Sequence, residues 1–296
     1  MLERRRAVFT GVARNCAPYL PGVLDNLARF AALYAEARFV FVVSDSDDGS
    51  YDLLKEWLAK GGRDGRASDL GRLQEHLSIR TERIAHARNA ALDEIARSGW
   101  ADHDHLVIAD LDDVLVHPVP AGDFERAASW LDADPSRAGV LANARPRYYD
   151  IWALRHARWC PDDCWQPIWN RGPGESFAAA KFREVFARQI AIPPTLPPIA
   201  VRSAFGGLGV YRLRPALAAR YRGLDAQGRE VSEHVAFNVA IGEAGGSLHV
   251  FPALCVQAPR QHLYSAAEFA WSWRLAMLAR CAIEAARPPW RRLVAP

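Results

Sequence analysis

The chain has 296 residues, half of them hydrophobic, which is enough to bury the core of one large α/β domain. The 37 basic and 34 acidic residues leave a formal net charge of +3, too small an excess to indicate nucleic-acid binding by itself. No run of about 18 uncharged apolar residues could span a bilayer, and the N-terminus lacks the apolar core of a secretion signal. The five cysteines are odd in number and lack paired CxxC spacing, so we expect free thiols in a cytoplasmic protein.

Short apolar runs alternate with helical patterns through the first half of the chain. The runs that predict strands are AVFTGVA, RFVFVVS and HLVIAD. Between them, the patterns predict helices near 17–36, 50–60 and 83–97. This rhythm predicts stacked β-α units around a largely parallel sheet that is buried on both faces. In such sheets ligands bind beyond the carboxyl ends of the strands.

The remaining segments give weaker signals. Glycine and charge in residues 61–72 predict a flexible surface connection, and residues 156–200 predict irregular structure around one helix near 177–190. Further on, we predict a strand pair around 199–214, a helix near 233–244, a second strand pair near 247–256 and a helix near 265–286.

Three acids follow the apolar strand HLVIAD directly: Asp110, Asp112 and Asp113. On an extended segment residues i and i+2 face the same side, so the carboxylates of Asp110 and Asp112 can reach one point. Crowded carboxylates resist ionising together, and a divalent cation such as Mg²⁺ or Mn²⁺ would remove that conflict while binding a diphosphate. The alternative is a solvated acidic turn at a strand end.

A basic cluster precedes that strand, in the segment RTERIAHARNAAL. We expect Arg80 before the helix, and Arg88 and Asn89 on its second turn. Together with Arg83, these guanidinium groups could hold phosphates, aided by the positive helix terminus. The alternative is an exposed helix whose arginines pair with neighbouring acids.

Acidic and hydroxyl side chains also gather where the second strand passes into a helix, in the segment VVSDSDDGSYD. Such side chains can hydrogen-bond a base or a ribose, and they can equally cap the helix. We assign ligand contact to Asp45 and capping to Ser50.

The ordered set of motifs resembles a nucleotide-sugar-dependent glycosyltransferase of the GT-A fold. The motifs are TGVARNCAPYLPGVLDNL, VSDSDDGSYDLLKEW, RTERIAHARNAAL, VIADLDDV, RYYDIWALRH, FGGLGVYR and SEHVAFN. They are most similar to the capsule-associated α-mannosyltransferase group and its bacterial relatives, over roughly residues 7–262. The resemblance implies one α/β domain over 1–262, with a nucleotide-binding half at about 7–115 and an acceptor half at about 116–262. Residues 263–296 would form a C-terminal helix and a basic tail.

The resemblance also assigns donor and metal residues. Asp110 and Asp112 become the DxD pair that holds Mn²⁺ or Mg²⁺ and the donor diphosphate. Arg88 and Asn89 lie near the donor, and Asp45 lies near the nucleoside. A late histidine that completes the metal shell in many GT-A enzymes would be His262, although a lone histidine is more often a simple hydrogen-bonding residue.

Several substrate-binding positions follow from the same resemblance. The segment YYDIWALRH resembles a family block Tyr-Asp-x-Trp-x-x-Arg-Asp, which places Asp150, Trp152 and Arg155 near the substrate; His156 replaces the usual acid. The other predicted substrate-binding residues are Asp113, Gly206 and Gly207. The two glycines fit a close approach of backbone to a sugar, or an ordinary tight turn. Tryptophans within 152–169 could stack on sugar rings or pack in the core.

Glu233 and His234 stand at a predicted helix start and are the predicted catalytic residues. In an inverting enzyme Glu233 could be the base that deprotonates the acceptor hydroxyl, whereas in a retaining enzyme it would bind donor or acceptor. The alternative is a carboxylate that interacts only with the helix dipole.

These observations predict an enzyme that transfers a hexose, with a mannose-like sugar favoured, from a nucleotide diphosphate sugar to a glycan or lipid-linked acceptor in surface polysaccharide synthesis. The alternatives are a sugar-phosphate nucleotidyltransferase and a non-catalytic nucleotide-sugar-binding protein. A nucleotidyltransferase should carry a glycine-rich basic loop after the first strand, which TGVARNCAPYLPG matches poorly. We expect no nucleic-acid partner and at most weak, salt-sensitive contact of the C-terminal tail with the inner face of a membrane.

Overall fold

The computed structural model describes residues 2–264, residue 275 and residues 289–293. The strands are β1 Arg6–Ala13, β2 Glu36–Val43, β3 Gly65–Asp69, β4 His105–Ala109, β5 Arg137–Arg145, β6 Ile199–Val201, β7 Leu208–Arg212 and β8 Ser247–Gln257. The helices are α1 Leu20–Ala31, α2 Ser50–Lys60, α3 Arg80–Arg97, α4 Ala121–Asp132, α5 Gln166–Trp169, α6 Phe177–Glu184, α7 Leu213–Ala218 and α8 Glu233–Glu243.

The strands form one mixed sheet in the order β3-β2-β1-β4-β7-β5-β8-β6. Strands β3, β2, β1 and β4 run parallel, as do β5 and β8. Strand β7 lies antiparallel between β4 and β5, and β6 is an antiparallel edge strand. The predicted α/β fold with a mainly parallel central sheet is confirmed.

Helices cover both faces of the sheet, which explains why its central strands are apolar without alternation. In β4, Leu106 and Ile108 pack into one core cluster, and Val107 and Ala109 pack into the other. Helix α3 covers the first face, and α1 and α4 cover the second. Because side chains of a strand alternate between faces, burial on both faces favours the unbroken apolar run from Leu106 to Ala109.

The end of β4 meets the beginning of β7, and this junction shapes the edge where ligands would bind. Ala109 pairs with Leu208, and the Asp110 amide donates to the Gly207 carbonyl at 2.9 Å. Gly206 and Gly207 have φ of +70° and +88°, which glycine adopts at little cost. A Cβ on Gly207 would lie 2.2 Å from Val114 Cγ1, so the close packing requires glycine there.

Several of the predicted elements differ from the structure. Residues 61–72 contain the edge strand β3, whose charged sequence is tolerated because most of its side chains are exposed or half-buried. Strands β6 and β7 do not pair with each other but lie on different neighbours. Helix α3 begins at Arg80, three residues earlier than predicted, so Arg80 is its first residue.

The predicted strand pair near 247–256 is a single strand, β8. Its sequence contains Pro252, which has no N–H to donate to a strand ladder. The structure accommodates the proline in a bulge: Ala142 of β5 pairs with Phe251, and the next residue, Asn143, pairs with Cys255. The Asn143 side chain donates to the Pro252 carbonyl at 3.1 Å and so occupies the gap in the ladder.

Two predictions concern the C-terminus and membranes. The predicted helix near 265–286 lies, apart from residue 275, outside the described residues. Within residues 2–264, 275 and 289–293, no helix has the length and apolarity needed to cross a bilayer.

Candidate active site

A cavity of about 550 Å³ opens beyond the carboxyl ends of β1, β2 and β4. Most of the predicted site residues line it: Asp45, Arg80, Arg83, Arg88, Asp110, Asp112, Asp150, Trp152, Glu233, His234 and His262. They come from loops and helices spread over more than 200 positions of sequence. The parallel strands bring them together because each delivers its following loop to the same edge.

Arg88 is the buried cation at the centre of this cavity. Its Nη2 donates to Asp110 Oδ1 at 2.9 Å, and its Nε donates to Glu233 Oε1 at 3.1 Å. The guanidinium also lies over the rings of Phe205 and Tyr221. Burial opposes the charged form, but the two carboxylates outweigh it and raise the pKa of Arg88. Arg88 thereby fixes the end of β4 to the start of α8.

Asp112 has no such cationic partner among the described residues. Its Oδ1 accepts a 3.3 Å hydrogen bond from the Val114 amide and caps the short 3-10 turn Asp113–Leu115. Burial, together with the negative charges of Asp110 and Asp113, raises the pKa of Asp112 to about 7. The cavity therefore holds a carboxylate whose ionisation is opposed until a cation arrives.

This donor set fits a hard divalent cation that shares its ligands with a substrate. Asp110 and Asp112 offer carboxylate oxygens, the ligands that Mg²⁺ and Mn²⁺ prefer. Among the described residues, however, no three His, Cys, Asp or Glu side chains are grouped as a metal site. His262 lines the cavity with its ring stacked on Tyr149 at 5.6 Å between centroids. A metal here would therefore need further ligands from a bound diphosphate or water.

Glu233 and His234 begin α8, which lies against α3 and the cavity. Glu233 is in the first turn, where the positive end of the helix favours a carboxylate. His234 is stacked on Phe205 with centroids 3.8 Å apart and meets the Tyr221 ring edge-on. Burial and the charge of Arg88 lower the pKa of His234 well below its ordinary value, so its ring is neutral at neutral pH. Neither ring nitrogen has a hydrogen-bond partner within the described part of the chain.

Asp150 is a further carboxyl that lines the cavity. It accepts hydrogen bonds from the amides of Gly206 at 3.0 Å and Ala153 at 3.4 Å. Burial raises its pKa to about 6, and the charge of Asp110 adds to that rise against the Gly206 hydrogen bond. The Gly206 amide thus orients the Asp150 carboxyl, which can form hydrogen bonds with hydroxyl groups in the cavity.

Asp45 closes the opposite end of the cavity and adopts a positive φ of 53°. Its Oδ1 accepts from the Gln74 amide at 2.9 Å, and its Oδ2 lies 3.7 Å from Arg83 Nε. The predicted capping role of Ser50 is wrong. Gly49 is the N-cap residue, and the Ser50 hydroxyl accepts from the Cys16 amide and donates to Asp48.

Five predicted residues do not line the cavity, and each has another role. Both polar atoms of the Asn89 side chain bond the backbone of Tyr221, so Asn89 holds that loop instead of facing the donor. Arg155 forms an ion pair with Asp163 at 2.7 Å and stabilises the loop that carries Asp163. Asp113 lies at the rim, where Gln261 donates to it at 3.4 Å. Gly206 and Gly207 contribute backbone geometry.

The cavity is also lined by residues that the sequence did not single out: Arg14, Tyr149, Lys181, Phe205, Ser232 and Gln261. Arg14 directly follows β1, so the rule that ligands bind beyond strand ends could have found it. Lys181 lies on α6 within an irregular region, where no periodic pattern indicates which side chains face inward.

No protein-family model matches the chain, and a search of curated proteins also finds no match. Solved structures do match. The mannosyltransferase PcManGT from Pyrobaculum calidifontis, in complex with GDP-Man and Mn²⁺, superposes with a TM-score of 0.51 at 18% identity, covering 87% of this chain and 58% of that one. Two further matches have lower TM-scores. S. aureus TarS has 0.49 at 14% identity over 86% and 60% of the chains, and M. tuberculosis glucosyl-3-phosphoglycerate synthase has 0.46 at 14% over 89% and 75%.

At these identities the likeness concerns the fold, which is that of GT-A type glycosyltransferases. The chain spans less than two thirds of the length of the first two structures.

Proposed function

We propose that the protein is a metal-dependent glycosyltransferase that moves a hexose from a nucleotide diphosphate sugar to a glycan or lipid-linked acceptor. The observation that carries the proposal is the ion network of one cavity, in which Arg88 joins Asp110 and Glu233 while Asp112 has no cationic partner within the described residues. The acidic pair Asp110 and Asp112, at the end of β4, suits a metal-bound diphosphate. Glu233, at the start of α8, suits a reacting hydroxyl.

The donor would lie along the cavity from Asp45 to Asp150. The nucleoside would occupy the end near Arg14, Ser44 and Asp45, beyond β1 and β2. Arg80 and Arg83, in the first turn of α3, would contact the phosphates with the positive helix terminus behind them. The sugar would then lie near Asp150 and the glycine turn, where acids and backbone groups can bind its hydroxyls.

Asp110 and Asp112 would hold Mn²⁺ or Mg²⁺ together with diphosphate oxygens, and His262 would be close enough to the cavity to contribute. A bound divalent ion would neutralise the charge that develops on the leaving diphosphate. Arg88 keeps Asp110 oriented, and its buried charge prevents the acid cluster from repelling the donor.

Glu233 would accept the acceptor proton if the enzyme inverts the anomeric configuration, because its carboxylate lines the cavity. If the enzyme retains configuration, Glu233 would instead bind donor or acceptor. The buried neutral ring of His234, whose nitrogens have no hydrogen-bond partner among the described residues, would hydrogen-bond a substrate hydroxyl next to it. A mannose-like hexose is supported by the resemblance of the sequence motifs and by the GDP-Man bound to the neighbour PcManGT.

The pathway, the acceptor and the cellular location belong to the same proposal. We infer a role in surface polysaccharide synthesis at the cytoplasmic side of a membrane, as the capsule-associated relatives suggest. The basic C-terminal tail would give at most weak peripheral contact with anionic lipid.

The proposal is tested by nucleotide binding before any transfer is measured. GDP or UDP with Mn²⁺ should raise the melting temperature, and EDTA should abolish that rise, because ligand bound to the native state stabilises it. A hydrolysis screen over common nucleotide sugars then identifies the donor, and NMR of the product gives its anomeric configuration. Glu233→Gln should lower turnover strongly with a nearly unchanged donor Kd if the enzyme inverts. Absence of nucleotide binding under all these conditions would refute the proposal.

A further inference from the structure

Four aromatic rings form a continuous cluster at the acceptor side of the cavity. Trp152 and Trp165 lie with centroids 5.9 Å apart, and Trp165 is stacked on Trp169 at 5.8 Å with 30° between the planes. Phe177, the first residue of α6, adds a fourth ring 6.3 Å from Trp165. We call these four residues the aromatic platform.

The platform runs from the cavity wall out to the surface. Trp152 and Trp165 line the cavity itself. Trp169 and Phe177 are 41% and 45% exposed, among the largest apolar exposures in the described part of the chain. Every other Phe, Trp or Tyr residue in the described part of the chain is buried or half-buried, so two exposed rings that both contact Trp165 and continue a ligand cavity indicate a binding surface more than incomplete packing.

One buried ion pair holds the inner rings in place. Asp163 accepts from Arg155 at 2.7 Å and from the indole nitrogen of Trp152 at 3.2 Å. The other oxygen of Asp163 accepts from the amides of Trp165 and Gln166. The Trp152 ring and the backbone at Trp165 are therefore held in place before any ligand arrives, which reduces the entropy lost on binding. This also accounts for Arg155, which the sequence placed at the site but the structure buries beneath it.

We propose that the aromatic platform is the acceptor subsite and that the acceptor is an oligosaccharide whose sugar rings pack against the exposed rings of Trp169 and Phe177. The inference rests on the proposed function, since it names the acceptor class of the same cavity. A sugar ring presents an apolar C–H face and a polar rim of hydroxyls. An exposed aromatic ring can contact the C–H face, and polar groups beside it can bond the hydroxyls.

The polar groups around the platform favour a sugar over a lipid. Arg171 lies over the Phe177 ring at 5.6 Å, and Glu175 forms an ion pair with Arg183 at the same rim. This rim carries both signs of charge, whereas attachment to an anionic membrane surface needs a basic excess. Donors and acceptors next to stacked rings can instead hydrogen-bond hydroxyl groups.

Direct binding tests the inference without relying on turnover. Mono-, di- and trisaccharides of mannose and of glucose are titrated into the full chain with GDP and Mn²⁺, and Trp fluorescence and saturation-transfer NMR report binding. We expect affinity to rise with the number of rings. In Trp169→Ala the affinity for the longer saccharides should fall by about 3- to 10-fold, the loss expected for one aromatic contact. Trp169→Phe, which keeps an aromatic face, should recover most of it.

Leu53→Ala is the matched control, because Leu53 is also an exposed large apolar residue, at 38%, but lies on α2 and does not line the cavity. It should leave all affinities unchanged. Equal affinity for short and long sugars, or an unchanged Trp169→Ala variant, would overturn the inference. So would binding to phosphatidylcholine vesicles that Trp169→Ala abolishes, since the surface would then meet lipid. Nucleotide affinity, measured in the same samples, reports separately on the proposed function.

Discussion

Strand β4 begins at His105 and ends beside Asp110, and charged side chains gather at both of its ends. At the amino end His105 lies between the Tyr34 hydroxyl at 3.0 Å and Asp132 at 3.1 Å. Asp132 is also bound by Arg5 at 3.0 Å, and Arg212 lies 3.8 Å away. Burial opposes ionisation of Asp132, but the His105 hydrogen bond and the nearby cations outweigh it and lower its pKa.

At the carboxyl end the balance is reversed. Burial and like charges raise the pKa of Asp112, and one nitrogen of Arg88 and both nitrogens of His234 have no partner in the described part of the chain. A buried polar group without a hydrogen-bond partner costs free energy. The fold tolerates such groups at the carboxyl end of β4, whereas at its amino end the charged groups are paired. The charged groups at the amino end therefore stabilise the fold, and those at the carboxyl end are left available to the proposed ligands.

The largest effect that would test this contrast is expected from Asp112→Asn. The change removes an anionic metal ligand but keeps the shape and the acceptor for the Val114 amide. We expect turnover to fall by on the order of 100-fold or more. Metal-dependent nucleotide binding should be lost as well, as measured by thermal shift with Mn²⁺. Activity that persists in wild-type protein saturated with EDTA would contradict the metal role of this acid.

The same variant has a second readout in stability. The pKa of Asp112 is about 7 in the folded protein, above the ordinary value of about 3.9. The native state therefore binds more protons between these pH values, and stability is lost as pH rises from about 4 to 7. Metal-free Asp112→Asn should melt at a higher temperature than wild type near pH 8, and the difference should disappear towards pH 4. Parallel curves would show that Asp112 carries no such cost.

Arg88→Lys should give an intermediate effect on both properties. An ammonium group cannot reproduce the planar fork that reaches Asp110 and Glu233 together, so one of the two carboxylates loses its partner. We expect donor affinity about tenfold weaker and a free energy of unfolding lower by about 1–3 kcal/mol. Urea denaturation and donor titration measure the two. Unchanged donor affinity would make Arg88 a purely structural residue.

Asp132→Asn tests the amino end and should affect stability alone. The amide leaves Arg5 and His105 without their carboxylate, which should cost about 1–3 kcal/mol in urea denaturation near neutral pH. Because the folded pKa of Asp132 is lowered, this contribution is present at neutral pH and is lost as pH falls through that pKa, so the variant and wild type should converge in acid. Turnover per folded molecule should be unchanged. A large loss of turnover would show that the two ends are coupled.

Asp113→Asn should have the smallest effect. Asp113 lies at the cavity rim, where it accepts a long hydrogen bond from Gln261. We expect turnover within about threefold of wild type and a stability change within about 0.5 kcal/mol, as for most surface substitutions. Loss of metal-dependent binding in this variant would move Asp113 into the metal site.

The sequence alone determined the parallel first half of the fold and the position of the acids. The apolar runs and the helical periodicity predicted β1, β2, β4 and the helices between them, because burial on both faces of a central strand favours apolar residues. The rule that strand ends deliver ligands then located Asp110 and Asp112. The ordered motifs indicated the GT-A fold, which no single motif could have done.

Only the tertiary structure decided which charged side chains share the cavity. Asn89 follows Arg88 directly, yet one bonds the Tyr221 backbone and the other joins Asp110 to Glu233, because adjacent positions on a helix point about 100° apart. The antiparallel placement of β7 beside β4, the bulge at Pro252 and the aromatic platform likewise depend on contacts between residues far apart in the chain. Local periodicity carries no record of such contacts, which is why Arg155 was expected at the site and lies beneath it.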